Sequence, residues 1–359
     1  MTDPTSIADL VIVGGGPVGL VTAIHAALAG LQVTVLEART PKQGSLDKAC
    51  GEGLMPAGVA HLRALGVEID AVGSHPFGGI VWEEDGVRAS GRFPHGQGLG
   101  VRRLSLSRAL RSRAQELGVV LRDGLRAIGL AAGGVVTSDG LVRGRLLVGA
   151  DGLHSRVRKW AGLSAGVGPI ERFGLRRHVR MTPWSDQVEV YLGDGVECYL
   201  TPAGVDQVGV AFLWSGSKER FESLLARFPQ VAQRIEGAPQ CSPDRGSGPL
   251  HQKTLSVLGA VEDTPVALVG DAAGYLDACT GEGLSLGFKQ GQALVRVFQA
   301  GQLADYPRAH ARVVRLPYTM MKGLLWASRV GLRKWLVRLM RAMPWLFGRV
   351  LAANDGKLL

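Results

Sequence analysis

The chain opens on a short apolar run, Leu10 to Val13, which meets Gly14-Gly15-Gly16-Pro17-Val18-Gly19 without a break. From Val18 to Ala29 apolar residues recur at helical spacing. Gly30 closes that run, as expected of a residue that accepts the left-handed backbone of a helix end. Gln32 to Leu36 then reads as a second buried strand and delivers Glu37. Strand, glycine turn, helix and strand in this order predict a βαβ unit with parallel strands.

The pattern carries further. Pro56 to Leu65 predicts a helix that stops at Gly66, and residues 77–93 alternate like a hairpin with Asp85-Gly86 at its turn. Ser107 to Leu117 predicts a helix, and runs at 118–121, 125–130 and 134–137 predict a small β-meander. Leu146 to Ala150 and Val266 to Val269 are continuous apolar runs, the mark of strands covered on both faces. Between them, residues 170–214 lose helical period. Gln187–Leu192, Glu197–Leu200 and Gln207–Trp214 predict an antiparallel sheet that roofs a ligand cavity. Lys218 to Phe228 reads as one amphipathic helix, residues 237–249 as a Pro- and Gly-rich connection, and Ser285 to Ala300 as a further helix. The tail, Pro317 to Leu351, is helical, with Pro317 near its start and Pro344 as a break.

Composition changes this picture in two places. The net charge of +10 is confined to the tail: between Tyr306 and Asn354 there are ten Arg or Lys and no Asp or Glu, and elsewhere basic and acidic residues balance at 31 each. Three of the seven Trp (Trp326, Trp335, Trp345) share that segment. Basic charge mixed with Trp and Leu suits an anionic membrane surface, and a helix covering the rest of the protein with solvated arginines is the plainer reading. No recognised nucleic-acid module accompanies the charge, so no nucleic-acid partner is expected. The four cysteines (Cys50, Cys198, Cys241, Cys279) show no metal-ligand spacing, so reduced thiols and no metal are expected. No secretory signal and no uncharged apolar run of about 18 residues stand out. The expected location is cytoplasmic, on the inner face of the membrane if the tail docks there.

Gly14, Gly16 and Gly19 have G-x-G-x-x-G spacing, and Glu37 follows 18 residues after the last of them. The first glycine allows the tight turn, the second lets backbone approach a pyrophosphate, and the third lets helix pack on strand. The helix N-terminus offers unpaired N–H groups to phosphates, and the acid accepts hydrogen bonds from a ribose. Two further segments follow buried strands: Asp151-Gly152-Leu153-His154-Ser155-Arg156-Val157-Arg158 and Gly270-Asp271-Ala272-Ala273-Gly274, the latter leading to Thr280-Gly281-Glu282-Gly283-Leu284.

On these three fingerprints the chain resembles the FAD-dependent aromatic hydroxylase and geranylgeranyl reductase superfamily, related to flavin halogenases, over nearly all of residues 8–300. The resemblance implies an α/β fold: a Rossmann-type FAD-binding domain (1–75, 100–165 and 260–305), interleaved with an antiparallel-sheet substrate domain (76–99 and 166–259), then a basic helical tail (306–359). It places Gly14, Gly16, Pro17, Val18 and Gly19 at the pyrophosphate of FAD, and Glu37, Ala38 and Arg39 at the adenosine ribose. Arg103 falls at the cofactor's middle portion, Asp151 and Gly152 on its flank, and Gly270 and Asp271 at the ribityl chain. Gly281, Gly283 and Leu284 fall at the flavin pyrimidine. With a single G-x-G-x-x-G, NAD(P)H is expected to bind transiently. The Asp151 segment looks closer to hydroxylases; Lys48-x-Cys50-Gly51 and Thr280-Gly281-Glu282-Gly283 look closer to prenyl reductases.

The implied activity is an NAD(P)H-dependent monooxygenase that hydroxylates an apolar or aromatic small molecule through a flavin hydroperoxide. Reduction of isoprenoid double bonds is the alternative, and a non-catalytic electron carrier at a membrane surface is a third reading. Cys50 stands as a proton donor or pocket-shaping group, against a small buried residue. Glu52 stands as an acid in the same pocket, against a solvated loop carboxylate. Tyr199, Pro202 and Trp214 lie on the expected roof sheet, Tyr199 standing as a catalytic candidate, with core packing the slightly preferred reading for all three. Cys279 is expected near the cofactor in a structural role, and His25 and His154 in ordinary surface or core positions.

Overall fold

A computed structural model describes residues 7–43, 47–70, 73–166, 172–248, 254–275, 277 and 281–354. The glycine-rich opening forms β1 (Ala8–Val13), α1 (Pro17–Leu28) and β2 (Val33–Glu37). Then come β3 (Gly53–Leu54), α2 (Pro56–Ala64), β4 (His75–Phe77), β5 (Gly79–Glu84), β6 (Val87–Arg92), β7 (Gly98–Gly100) and α3 (Arg103–Glu116). The chain returns through β8 (Val120–Asp123), β9 (Ala127–Ala131), β10 (Gly134–Thr137), β11 (Gly140–Gly149) and α4 (Arg156–Trp160). It continues with β12 (Arg172–Arg180), β13 (Val188–Gly193), β14 (Val196–Gly204), β15 (Gln207–Ser215), α5 (Phe221–Leu225), α6 (Pro229–Arg234) and β16 (Arg245–Ser247). It closes with β17 (Leu258–Val261), β18 (Thr264–Leu268), α7 (Gly283–Gln299), α8 (Tyr306–Arg329), α9 (Arg333–Ala342) and α10 (Pro344–Asn354).

The first sheet runs β17-β18-β11-β1-β2-β8. The five strands from β18 to β8 are parallel, and β17 is an antiparallel edge. Leu10, Val11 and Ile12 on the central strand are wholly buried, as continuous apolar strands between two layers must be. On one face α7 presses so closely on α1 that a Cβ at Gly291 would stand 2.3 Å from Thr22 Oγ1. β11 serves twice: Gly140 to Arg143 pair with β10, and Gly144 to Gly149 pair with β1.

The second sheet runs β16-β12-β15-β14-β13-β5-β6, antiparallel apart from the β13–β5 pair. Asp85 and Gly86 both take positive φ, the type I′ geometry that suits a two-residue hairpin. A small third sheet, β3-β7-β4, carries the loop of residues 47–53 into α2.

Several expected elements differ. The run at 118–121 does not join the meander: β8 adds to the parallel sheet beside β2, and the meander is β9–β11. α3 begins at Arg103 rather than Ser107. The helix expected over Lys218–Phe228 is two short ones, because Pro229 starts α6 at a position where its missing N–H is not needed. The tail helix starts at Tyr306, with Pro317 inside it and buried. Proline there removes one helical hydrogen bond, and packing along α7 holds the helix together. Pro344 does break the tail, opening α10.

The tail is bound to the second sheet. Phe347, fully buried, lies on Trp82 of β5 at 4.6 Å between ring centres, and a Cβ at Gly91 of β6 would stand 2.7 Å from the Phe347 ring. Arg333 donates to Glu84 (2.7 and 2.9 Å) and to the Gly193 carbonyl (2.9 Å). Among the described residues no helix is long and apolar enough to cross a membrane.

Candidate active site

Three loops remote in sequence leave the carboxyl ends of adjacent strands β1, β11 and β18. In an open parallel sheet, ligands sit beyond that edge. Gly14 has φ +112°, and a Cβ there would stand 2.5 Å from the Ala150 carbonyl oxygen; at Gly19 it would meet the Gly14 oxygen at 2.0 Å. Gly16 is different: nothing lies within 4 Å of where its Cβ would be, so the turn opens onto free space ahead of α1.

Among the described residues neither α1 nor α7 has a side chain capping its N-terminus, and the first turns of both line one cavity, through Pro17 and Val18 on α1 and Gly283 and Leu284 on α7. Each helix end turns its partial positive charge toward a common space. That arrangement suits a ligand that carries negative charge toward both helix ends.

Supporting contacts fix these loops. Arg158, fully buried, donates to the carbonyls of Leu153 (2.7 Å) and Ala272 (3.0 Å), which ties the loop after β11 to the loop after β18. The Gly270 N–H donates to Gln290 Oε1 of α7 at 2.7 Å. Asp151 Oδ2 accepts from the N–H groups of Arg156 (2.7 Å) and Val157 (3.2 Å), while its buried Oδ1 has no partner among the described residues. The Glu37 carboxylate accepts from Gly15 N–H (3.0 Å) and Arg39 N–H (2.9 Å), which locks it to the glycine turn and leaves further lone pairs for a ligand. Lys48 Nζ lies 3.8 Å from Asp271.

Glu52 is not a solvated carboxylate. It is buried at 5% exposure with φ +56°, in a left-handed conformation that costs a non-glycine residue energy. One carboxylate oxygen accepts from the Arg103 N–H at 2.9 Å, and the other is hydrogen-bonded to His178 Nε2. Arg102 and Arg176 lie 3.6 and 3.8 Å away. Arg176 Nη1 donates to His178 Nδ1 at 2.9 Å. A guanidinium only donates, so Nδ1 accepts and the proton sits on Nε2, directed at Glu52. Burial holds the His178 pKa below its ordinary value against the pull of Glu52, consistent with a neutral ring.

One cavity of about 520 Å³ brings these parts together. Gly16, Pro17, Val18, Arg103, Gly152, Gly270, Asp271, Gly281, Gly283 and Leu284 line it, and so do Cys50, Glu52 and Tyr199. Gly14, Gly19, Glu37, Ala38, Arg39 and Asp151 stand outside the lining. Cys50 Sγ accepts from the Glu52 N–H at 3.4 Å, and the Tyr199 hydroxyl donates to Glu197. Above the loops the walls turn apolar, with Ile80, Val188 and Val190 from the roof sheet and Met321, Leu336 and Met340 from the tail. Trp214 faces away, stacked on Phe173 at 5.7 Å, and Pro202 is outside the lining. Cys279 lies outside the described residues. His25 of α1 contacts His61 of α2 at 2.7 Å.

The profile of the FAD binding domain family matches residues 8–301. The chain belongs to this family. It is 27% identical to a menaquinone reductase of Mycolicibacterium smegmatis over 90% of this chain and 84% of that one. It is 30% identical to a 6-methylpretetramide 4-monooxygenase of Streptomyces rimosus, over 79% and 73%. The fold matches a flavoprotein/dehydrogenase from Cytophaga hutchinsonii with a TM-score of 0.80 and 16% identity, over 97% of this chain and 92% of that one. The protein is thus an FAD-dependent oxidoreductase, and the uncapped ends of α1 and α7 suit its cofactor.

Arg158, Arg176 and His178 are not legible as functional positions in the sequence. Arg158 does sit inside the Asp151 segment, so a signal for it exists. The two others are single residues of a strand, and their partners Glu52 and Asp47 lie 126 and 129 positions away.

Proposed function

We propose that this FAD-dependent oxidoreductase is an NAD(P)H-dependent monooxygenase that hydroxylates an apolar or aromatic small molecule. The carrying observation is the single cavity in which an apolar chamber, walled by roof sheet and tail, opens directly onto the cofactor loops. Such a chamber orients an electron-rich acceptor and keeps water from the reacting centre. FAD supplies hydride acceptance from NAD(P)H and the activation of oxygen.

In this reading Gly14, Gly16, Pro17, Val18 and Gly19 set the pyrophosphate at the end of α1, and Glu37, Ala38 and Arg39 take the adenosine ribose. Arg103 meets the middle of the cofactor, with Asp151, Gly152, Gly270 and Asp271 along its ribityl side. Gly281, Gly283 and Leu284 offer backbone N–H groups to the flavin pyrimidine. Cys50 and Tyr199 face the acceptor. Glu52 orders the Cys50 loop and the start of α3. The protein works in the cytoplasm, and its basic, Trp-bearing tail supports peripheral contact with the inner membrane face.

A second reading, reduction of a quinone or isoprenoid double bond, is favoured by Cys50, a thiol at the cavity able to pass a proton to carbon, and by the extent of the likeness to the menaquinone reductase. Oxygen uptake matched to NAD(P)H oxidation, with a product one oxygen atom heavier, is the expected result. Formation of a product two hydrogens heavier without air overturns hydroxylation. Electron transfer to a protein acceptor with no small-molecule product overturns both.

A further inference from the structure

The tail helices have two unlike faces. Met321 and Leu324 of α8, and Leu336 and Met340 of α9, point inward and line the cavity. The opposite faces carry Trp326 (60% exposed) and Trp335 (68%), with Leu332, Leu339 and Trp345 also exposed. Soluble proteins seldom leave so many large apolar side chains in one stretch of surface. Lys322, Arg329, Arg338 and Arg341 surround them, all exposed and without an ion-pair partner among the described residues. Arg333 and Lys334 differ, being spent on Glu84 and Asp85. The free charge on this surface is of one sign, with no acid between Tyr306 and Asn354. Trp at a water–hydrocarbon boundary and Arg or Lys among anionic headgroups are the contacts such a surface makes.

Gly323 connects the two faces. It is exposed, yet it lines the cavity, and no atom lies within 4 Å of where its Cβ would be. Glycine inside a helix is unfavourable, and here it leaves the chamber wall open one turn from Trp326.

We propose that the outer face of α8–α10 seats on an anionic phospholipid bilayer, and that the opening at Gly323 admits a membrane-dissolved apolar substrate from the bilayer to the flavin site. This rests on the reading of the chamber as the site of an apolar acceptor, and it narrows the substrate class to amphiphiles that reside in lipid. A molecule of that kind has little free concentration in water, so entry directly from the bilayer spares it an aqueous crossing.

Two measurements on the FAD-loaded full chain test this. In flotation, the protein rises with vesicles containing phosphatidylglycerol, stays behind with pure phosphatidylcholine, and is released by high salt. Arg338→Glu with Arg341→Glu abolishes flotation and leaves FAD content and binding of water-dissolved p-cresol unchanged. Flotation that ignores lipid charge and salt overturns the seating, and so does none at all, including the case where the patch captures only a protein. For the door, pentadecylphenol carried in the anionic vesicles is mixed rapidly with protein and the change in flavin absorbance is followed. Gly323→Trp and Leu324→Trp slow this loading tenfold or more relative to loading of water-dissolved p-cresol in the same variant, while flotation and FAD content persist. Unchanged loading in both variants overturns the door. If wild type binds neither phenol, the reading of the chamber fails instead, and flotation still decides the seating.

Discussion

Glu52 and His178 stand 126 positions apart and share a hydrogen bond in the buried floor of the cavity. Around them, Arg176 is 1% exposed and bonded to Asp47, and the Glu52 carboxylate also holds the first amide of α3. One side chain thus joins the Cys50 loop, the start of α3 and the roof sheet. Glu52→Ala leaves buried cations short of a counter-charge. A loss of roughly 3 kcal/mol is expected from removing one partner of such a group, read by urea unfolding of the FAD-loaded protein. Glu52→Gln, which keeps the shape, loses less. Equal stability of all three proteins would dismiss the joint.

The glycine turn makes a paired prediction. Gly16→Leu folds, because its side chain enters open space, but it occupies the room ahead of α1 and the protein purifies without yellow colour. Gly19→Ala is blocked by the Gly14 carbonyl and gives little folded protein. Circular dichroism and flavin absorbance separate the two. A yellow Gly16→Leu protein would place the pyrophosphate elsewhere.

Arg158, fully buried, bridges the loops after β11 and β18. Arg158→Met removes the bonds to Leu153 and Ala272 and frees the Asp271 loop. FAD affinity falls by about tenfold or more, the equivalent of one or two lost charge-assisted hydrogen bonds. Flavin fluorescence titration measures it, and unchanged affinity would make Arg158 a packing residue only.

Acid should destabilise the protein through two histidines. Burial, then the neighbouring His61, lowers His25 to about 4, and burial alone lowers His310 to about 4. The unfolded chain binds protons at these sites near the ordinary value of about 6.5, so it gains protons first as pH falls. Stability present above about pH 6.5 is therefore lost down to about pH 4. Each group contributes on the order of 3 kcal/mol at the acid end. His310→Leu should flatten the profile of unfolding free energy over that window, and an unaltered slope would contradict it.

The tail is part of the chamber wall, and Phe347 is its anchor. Phe347→Ala empties a fully buried site against Trp82 and Gly91, and it is expected to cost on the order of 3 kcal/mol in local packing. FAD content stays normal because the cofactor loops lie on the other sheet, while turnover of an apolar acceptor drops. Protease sensitivity of residues after Arg329 and flavin content, measured together, check this. Intact turnover with a loosened tail would remove the tail from the site.

Much of the site is legible in the order of the amino acids. The βαβ opening, the acid at Glu37 and the two later fingerprints each depend on residues close in sequence, and each turn demands glycine for reasons local to the backbone. The hairpin at Asp85-Gly86 is legible for the same reason. Boundaries are less so: Pro229 divides what amphipathic spacing predicts as one helix, and Pro317 is carried inside another by contact with α7.

Local chemistry therefore determined the cofactor fold, because strand, turn and helix signals act over a few residues. Only the tertiary structure decided that Glu52 is buried against His178, that Arg158 joins two loops, and that the basic tail walls the chamber with its inner face. Those facts are set by pairing across strands and by which helix face finds an apolar partner. Neither leaves a periodicity along a single chain.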